Sequence, residues 1–90
     1  MRLILDYQEG EWVTWIDSSE RIQVHRSLLG ALLDMVHRAY FSRKRGEEEV
    51  YLGLTDNVPL YIRRLLCKSE KFREISYEKL TALAAVLLVE

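Results

Sequence analysis

The hydrophobic pattern changes its period within residues 48 to 67. Apolar side chains alternate along residues 50 to 54, which is typical of a strand, and then recur at helical spacing. The helical set consists of Val58, Tyr61, Ile62, Leu65 and Leu66. Between the two patterns, Thr55, Asp56 and Asn57 carry short side chains that accept hydrogen bonds from the free N–H groups of a helix start, and Pro59 suits a first turn. A strand that leads directly into a helix predicts a layered α/β domain.

The first third of the chain predicts three strands. Residues 2 to 7 and 11 to 17 read as strands, and they are joined by a tight turn in which Gly10 can take a positive φ. Residues 21 to 25 also alternate and complete an antiparallel meander. Large apolar side chains occupy both faces of the first two strands, with Ile4, Val13 and Trp15 together on one of them. This pattern predicts either a sheet covered on both sides or a sheet with one face left for a partner.

A long helix is predicted from about Arg26 to Gly46. Cations in its last turn complement the negative helix end, and Gly46 can adopt the left-handed conformation that ends a helix. Asp34 and Arg38 stand at i, i+4 in the favourable order. The predicted core stripe of this helix comprises Leu29, Leu32, Leu33, Val36 and Tyr40, widened by Leu28, Met35 and Ala39.

The end of the chain predicts one more strand and one more helix. Residues 72 to 78 suit a strand with Ile75 and Tyr77 facing inward. Residues 79 to 89 suit a helix, although residues 84 to 89 also fit a buried strand. We therefore predict a single domain over residues 1 to 90, of the α/β class with α+β as the alternative. Its mixed sheet should have about five strands, in which a three-strand antiparallel meander is followed by helix, strand, helix, strand and helix.

Composition narrows the class of protein. With 90 residues, of which 49% are hydrophobic and 30% charged, the chain has the composition of a globular rather than a disordered protein. Its 13 basic and 14 acidic residues give a net charge of -1. This balance argues against a surface that condenses as a whole on nucleic acid or on acidic membranes.

The cysteine count and the apolar runs indicate a reducing compartment and no membrane segment. A single cysteine excludes an intramolecular disulfide and a multi-cysteine zinc site. Asp6 interrupts the first apolar run before a signal peptide could form. The apolar run at residues 80 to 89 is about half the length that a bilayer requires. We therefore expect a cytoplasmic protein.

Three carboxylates are the first candidates for chemistry. If the first and fourth strands are parallel, Asp6 and Asp56 could lie side by side at strand ends, and Asp34 stands on the long helix. Converging carboxylates of this kind bind Mg²⁺ and activate water for phosphodiester cleavage. The alternative is that Asp6 is a solvent-facing strand residue, that Asp34 pairs with Arg38, and that Asp56 caps a helix.

The order of the elements resembles the ribonuclease H-like fold. Residues 50 to 57 look like the fourth strand of that family, which ends in a Thr-Asp pair, and residues 3 to 6 look like its first strand. The resemblance implies nucleic-acid binding or metal-dependent cleavage, with Asp6 and Asp56 as catalytic metal ligands. At the position of the family's catalytic glutamate this sequence has Ser27, and Asp34 lies roughly 10 Å further along the helix axis. Cleavage is therefore the alternative prediction.

The histidines and the cysteine are weak candidates for metal binding or nucleophilic catalysis. Zinc ligands usually come in closely spaced pairs, and His25, His37 and Cys67 form no such pair. Cys67 ends the apolar stripe of the second helix, where a small buried hydrophobe is expected. Outside the carboxylate alternative, we predict no catalytic residue, no metal and no cofactor.

Basic residues late in the long helix are the third candidate. Those that could neutralise phosphates are Arg38, Arg43, Lys44 and Arg45. Nearby aromatic side chains could stack on bases. Three glutamates at residues 47 to 49 follow at once and offset the positive potential within a Debye length of about 8 Å. Nucleic-acid binding is therefore not favoured over the other predictions.

Surplus apolar surface leads to the main functional prediction. The last helix is apolar on almost every side, and 90 residues offer little other protein to bury it. Either this helix covers the Trp15 face of the sheet and completes a three-layer monomer, or a partner covers both surfaces. The predicted interaction residues are Ile4, Val13 and Trp15 on the sheet and Leu83, Val86 and Leu87 on the helix.

We therefore predict a non-catalytic protein-protein interaction module that forms a homo-oligomer or binds another protein. The alternative is a nucleic-acid-binding or metal-dependent nuclease domain of the ribonuclease H-like type. The two predictions differ in what the chain must provide: an uncovered apolar surface in the first case, and converging carboxylates in the second.

Overall fold

A computed structural model describes residues 1 to 17, 19, 21 to 46, 49 to 68 and 71 to 89. Within these ranges the chain forms six strands and three helices. In chain order they are β1 (Arg2–Gln8), β2 (Glu11–Ile16), β3 (Ile22–His25), α1 (Leu28–Lys44), β4 (Tyr51–Leu54), α2 (Leu60–Leu66), β5 (Cys67–Lys68), β6 (Lys71–Ile75) and α3 (Tyr77–Val89). Parts of the predicted turns and the first two residues of the glutamate run, at positions 18, 20, 47, 48, 69 and 70, lie outside the described residues.

The strands form a mixed sheet in the order β3-β2-β1-β4-β6-β5. The β1–β2 and β2–β3 pairs are antiparallel, and β1 and β4 are parallel neighbours. Glu9 and Gly10 both have positive φ, at 50° and 86°, which is the geometry of a two-residue hairpin turn. The meander and the α/β class are therefore confirmed.

The helices pack on one face of this sheet. Alternate residues of β1 and β4, such as Leu3, Leu5, Leu52 and Leu54, point into a core that the helices close. The buried helix residues in that core are Ala31, Leu32, Met35, Ala39, Ile62, Leu66, Leu80 and Ala84. α1 and α3 lie side by side, and α2 packs against α3 and β6. The molecule thus has two layers.

The C-terminus of α1 follows the predicted signals, whereas the capping residue at its N-terminus was not predicted. Ser27 precedes the helix, and its hydroxyl accepts a hydrogen bond from the Gly30 N–H at 3.1 Å. After Lys44, Gly46 takes a φ of 86° and its N–H donates to the Arg43 carbonyl at 3.1 Å. The buried stripe is rotated from the predicted one, because Leu33 and Tyr40 are exposed and the small residue Ala31 is buried instead.

The predicted start of α2 is wrong. The helix begins at Leu60 with Pro59 at the cap position and no side-chain cap. Thr55 instead builds a turn ahead of it, since its hydroxyl accepts from the Asn57 N–H at 3.3 Å and its carbonyl accepts from the Val58 N–H at 3.2 Å. Two of the five residues of the predicted apolar stripe, Tyr61 and Leu65, are exposed on this short helix.

The predicted boundary between the last strand and the last helix is also wrong. The strand ends at Ile75, which is buried as predicted, and Tyr77 belongs to α3. The Leu80 N–H donates to the Ser76 carbonyl at 2.9 Å, so the helical hydrogen bonds begin there. The segment at 84 to 89 is helical, and β5 adds a two-residue strand that the pattern did not predict. No helix of the described ranges is both long enough and apolar enough to span a bilayer.

Candidate interaction surface

One face of the sheet carries apolar side chains and no helix. We call it the open face and define it by Ile4, Val13, Trp15, Ile22, Val24 and Tyr51, which point away from the three helices. Ile22 and Val24, on the edge strand β3, are 59% and 58% exposed. Trp15 and Ile4 are half-buried. Of the predicted interaction residues on the sheet, Ile4 and Trp15 are therefore partly accessible on this face, whereas Val13 is only 3% exposed.

The last helix lies on the other side of the sheet. α3 packs beside α1, and Leu83 and Leu87 are half-buried against the core. Val86 is 53% exposed. The possibility that α3 covers the Trp15 face is therefore excluded by this arrangement. The two sets of predicted interaction residues belong to opposite sides of the molecule.

A second apolar region lies between α2 and α3. Leu65, Leu83 and Val86 line a shallow groove of about 360 Å³ there. Arg64 and Lys79 flank it. The Lys79 ammonium donates to the Cys67 carbonyl at 2.8 Å, so it keeps its charge beside this groove but one of its three N–H donors is already used.

The open face contains a groove of about 400 Å³ with Gly53 at its floor. Ile4, Trp15 and Tyr51 line it. A Cβ atom at position 53 would lie 2.6 Å from Tyr51 Cε1 and 3.1 Å from Ile4 Cδ1. A side chain there would displace the Tyr51 ring, so the recess exists because position 53 is glycine.

Charges at the rim of this groove occur as ion pairs. The Arg2 guanidinium lies 3.2 Å from the Asp17 carboxylate and 4.5 Å from the centre of the Tyr51 ring. On the other side, the Arg73 guanidinium donates to the Asp56 carboxylate at 2.9 Å. The groove therefore combines two aromatic side chains with two cations, each matched by an acid, and its lining has no net charge.

Asp6 is buried rather than solvent-facing, with only 2% of its surface exposed. Its Oδ1 accepts from the Tyr7 N–H at 2.9 Å, from Asn57 Nδ2 at 3.2 Å and from the Thr55 hydroxyl, while its Oδ2 accepts from Gln8 Nε2 at 2.6 Å. Burial alone would raise the pKa of Asp6, but the hydrogen bonds from Thr55, Gln8, Asn57 and the Tyr7 N–H together lower it below its usual value. The carboxylate thus joins the end of β1 to the turn after β4.

The other two candidate carboxylates have separate partners. Although β1 and β4 are parallel as the resemblance requires, it is Thr55 that bonds to Asp6, and the Asp56 side chain is exposed and paired with Arg73. Asp34 accepts from Arg38 Nε at 2.9 Å, as the i, i+4 spacing predicts. Among the described residues, no group of three His, Cys, Asp or Glu side chains is placed to hold a metal ion.

A polar network connects β2, β3 and α1 at the edge of the core. The Thr14 hydroxyl donates to Asp34 Oδ2 at 2.8 Å and lies 2.8 Å from His25 Nε2. Since its one proton goes to Asp34, the hydroxyl accepts from an Nε2–H of His25. Thr14 is only 1% exposed, so this hydroxyl is a structural contact and not an accessible nucleophile.

The remaining candidates for chemistry lie apart from one another. His37 is exposed and its ring centre lies 4.5 Å from that of Phe41. Cys67 is buried as predicted, and burial raises the pKa of its thiol, although the charges of Arg63 and Lys79 partly oppose this. A neutral, enclosed thiol is a poor nucleophile.

The predicted basic residues do not form one face. Arg38 is paired with Asp34, whereas the Arg43 guanidinium lies 4.3 Å from the ring centre of Tyr77 on α3. Lys44 lies 5.9 Å from the ring centre of Tyr40. Arg45 borders a pocket near the N-terminus. Arg38 lines the same pocket as Arg45, whereas Arg43 and Lys44 have separate aromatic contacts, so the four cations do not form one continuous basic face.

Sequence reasoning missed four residues that matter at this surface and beside it. Ile22 and Val24 alternate in the predicted third strand, so their common face was available as a signal. The glycine recess at position 53 and the Thr14 network could not be found, because each depends on contacts between segments that are distant in the sequence.

No family model, no curated protein and no solved structure matches this chain.

Proposed function

We propose that this chain is a non-catalytic protein-protein interaction module that self-associates through its open face. The observation that carries the proposal is the apolar patch that Ile4, Trp15, Ile22 and Val24 form on β1, β2 and β3, in which Ile22 and Val24 are more than half exposed. An exposed, contiguous apolar patch with a polar rim is typical of a protein interaction site. All three helices already pack on the other side of the sheet.

The charges around the open face favour a second copy over nucleic acid. A surface that binds its own copy must be self-complementary, and a surface of one sign would repel itself. The pairs Arg2–Asp17 and Arg73–Asp56 balance within the groove lining. Phosphate binding instead requires cations that are not already neutralised.

The size of the open face predicts weak association. Four strands about 4.8 Å apart, with about five residues each at 3.3 Å per residue, present roughly 300 Å² in projection. Stable complexes bury about 800 Å² per partner. The open face alone therefore supports a dimer with a dissociation constant in the micromolar range or weaker, so self-association should depend strongly on protein concentration.

Sedimentation equilibrium from low micromolar to near-millimolar concentration tests this proposal. Trp15→Glu should abolish the concentration-dependent rise in mass, because it puts a charge in the centre of the contact. The matched control Val86→Glu changes a half-exposed apolar residue on α3 and should leave the association unchanged. A strictly monomeric wild-type protein would refute the proposal. Dissociation by Val86→Glu and not by Trp15→Glu would refute the open face as the contact.

A cytoplasmic location is part of the same proposal. Its support is compositional: the chain has one cysteine, and that cysteine is buried inside the core. A chain with a single cysteine forms no intramolecular disulfide, so an oxidising compartment would not stabilise its fold. Fractionation of cells that express the chain, followed by immunoblotting, would test the location.

A second candidate function is nucleic-acid binding or cleavage on a ribonuclease H-like scaffold. The observation in its favour is the parallel pairing of β1 and β4, which brings Asp6 within β1 next to Thr55, the residue directly after β4. The opposing observation is that Asp6 Oδ1 already accepts three hydrogen bonds and Asp56 is paired with Arg73. Titration with Mg²⁺, described below, distinguishes this candidate from the first.

A further inference from the structure

The open face has different features on its two sides. Ile22, Trp15, Ile4 and Gly53 are paired in register across β3, β2, β1 and β4, so they form one row perpendicular to the strands. The row begins with Ile22 at 59% exposure, continues through two half-buried residues and ends at a glycine recess. We call the exposed aliphatic side chains on β3 the ridge and the recess at Gly53 on β4 the hollow.

The neighbouring row has its exposed member at the same edge of the sheet. Val24 is 58% exposed, whereas its paired residue Val13 is 3% exposed. Asp6, paired with Val13, is 2% exposed. Both of these strongly exposed aliphatic side chains of the open face, Ile22 and Val24, therefore lie on β3.

A face with the ridge on one side and the hollow on the other can pair with its own copy in two orientations, and only one of them brings the ridge against the hollow. When two identical sheets pack face to face, the two-fold axis lies in the plane of contact. An axis perpendicular to the strands places β3 over the second copy's β3, so that the ridges collide and the hollows stay empty. An axis parallel to the strands, between β1 and β2, places β3 over the second copy's β4, so that each ridge meets a hollow.

We infer that two copies of this chain pair face to face about a two-fold axis parallel to the strands, with Ile22 of each copy seated in the Gly53 groove of the other. This arrangement rests on the proposed function, because it specifies how the open face binds a second copy. The groove of about 400 Å³, walled by Ile4, Trp15 and Tyr51, receives an aliphatic side chain into an apolar and aromatic site.

The same axis also matches the charges at one end of the face. Arg2 on β1 and Asp17 after β2 are neighbours across the line along which the axis runs. Rotation about that axis places Arg2 of one copy over Asp17 of the other, and the reverse. The four charges then alternate in sign around a square, which favours this register over one that brings like charges together.

Alanine substitution on β3 gives the first test. Ile22→Ala removes the side chain that fills the groove, and we expect the dissociation constant to rise about tenfold or more. Gln23→Ala is the matched control, because Gln23 is an exposed residue of the same strand whose side chain points to the helix side. Equal effects of the two substitutions, or no effect of Ile22→Ala on a dimer that does form, would overturn the inferred arrangement.

Crosslinking with a short bismaleimide gives the second test. In the inferred pair, Ile22→Cys of one copy lies close to Ile4→Cys of the other, so a mixture of the two single variants should give a mixed crosslinked dimer. Two copies of Ile22→Cys should not link, since their thiols are separated by three strand spacings, roughly 14 Å. Leu60→Cys, equally exposed on α2, is the control that should not link to Ile4→Cys. The native Cys67 is buried and should not react.

The outcomes separate the two proposals. A link between two copies of Ile22→Cys would show edge or ridge contact and overturn the arrangement while leaving self-association intact. A dimer in the ultracentrifuge without a mixed link would do the same. A monomer at every concentration, with no link, would overturn the proposed function as well.

Discussion

Removal of the Asp6 carboxylate should destabilise the fold. In Asp6→Ala the Thr55 hydroxyl and the Tyr7 N–H lose their acceptor, whereas the exposed Gln8 and Asn57 side chains can turn to water. A buried donor left without a partner costs about 1–3 kcal/mol. We therefore expect the free energy of unfolding, measured by urea denaturation at pH 7, to fall by about 2–3 kcal/mol. The melting temperature should fall by roughly 8–24 °C.

The pH dependence of this loss provides a sharper check. The hydrogen bonds lower the folded-state pKa of Asp6 below its ordinary value of 3.8, so the stabilisation is fully present above that value and is lost as the pH falls through the folded-state pKa. The difference in stability between the wild type and Asp6→Ala should therefore be constant near neutral pH and shrink below pH 3.8.

Asp17→Ala is the matched control for Asp6→Ala. The ion pair of Asp17 with Arg2 is more than half exposed on both sides, so its loss should change the free energy of unfolding by no more than about 0.5–1 kcal/mol. If Asp6→Ala were as stable as Asp17→Ala, the hydrogen bonds around Asp6 would not hold β1 to the turn after β4, and the reasoning would fail.

Three further predictions concern the polar network, the metal alternative and the basic residues. Thr14→Val should lower the free energy of unfolding in urea by about 1–3 kcal/mol, because Asp34 loses a buried donor, and Thr14→Ser should lower it much less. Mg²⁺ or Mn²⁺ should not raise the melting temperature beyond a KCl control of equal ionic strength; a rise that Asp6→Asn abolishes would instead support the nuclease alternative. Arg43→Ala should lower the free energy of unfolding by about 0.5–1 kcal/mol, because it removes the contact with the Tyr77 ring. If the wild type bound single-stranded DNA in a gel shift at low salt and Arg43→Ala did not, this purely structural role would be contradicted.

Local patterns predicted the parts of the fold that depend on neighbours in sequence. The hairpin at Gly10, the alternation of β1 and β2, and the end of α1 at Gly46 each follow from residues within one turn or one strand. The carboxylate hypothesis assumed the parallel pairing of β1 with β4 but did not predict it. The paired residues are about 50 positions apart, and no pattern of neighbouring residues indicates such a contact.

The errors concern which side of an element is buried. On α2, Tyr61 and Leu65 fit the helical stripe but are exposed, because a helix of seven residues contacts the core with little more than Ile62 and Leu66. Asp6 looked solvent-facing because the sequence does not show the four donors that surround it. The position of α3 could not be inferred either, since an almost wholly apolar helix gives no direction of its own.

The glycine at position 53 has a consequence for how the sequence can diverge. Because a methyl group there would meet the ring of Tyr51 at 2.6 Å, the two positions are not free to change independently. A descendant with alanine or a larger residue at 53 should therefore carry either a smaller residue at 51 or a Tyr51 ring that has turned away from the recess. Covariation between these alternate positions would be the evolutionary imprint of a recess kept open in the sheet.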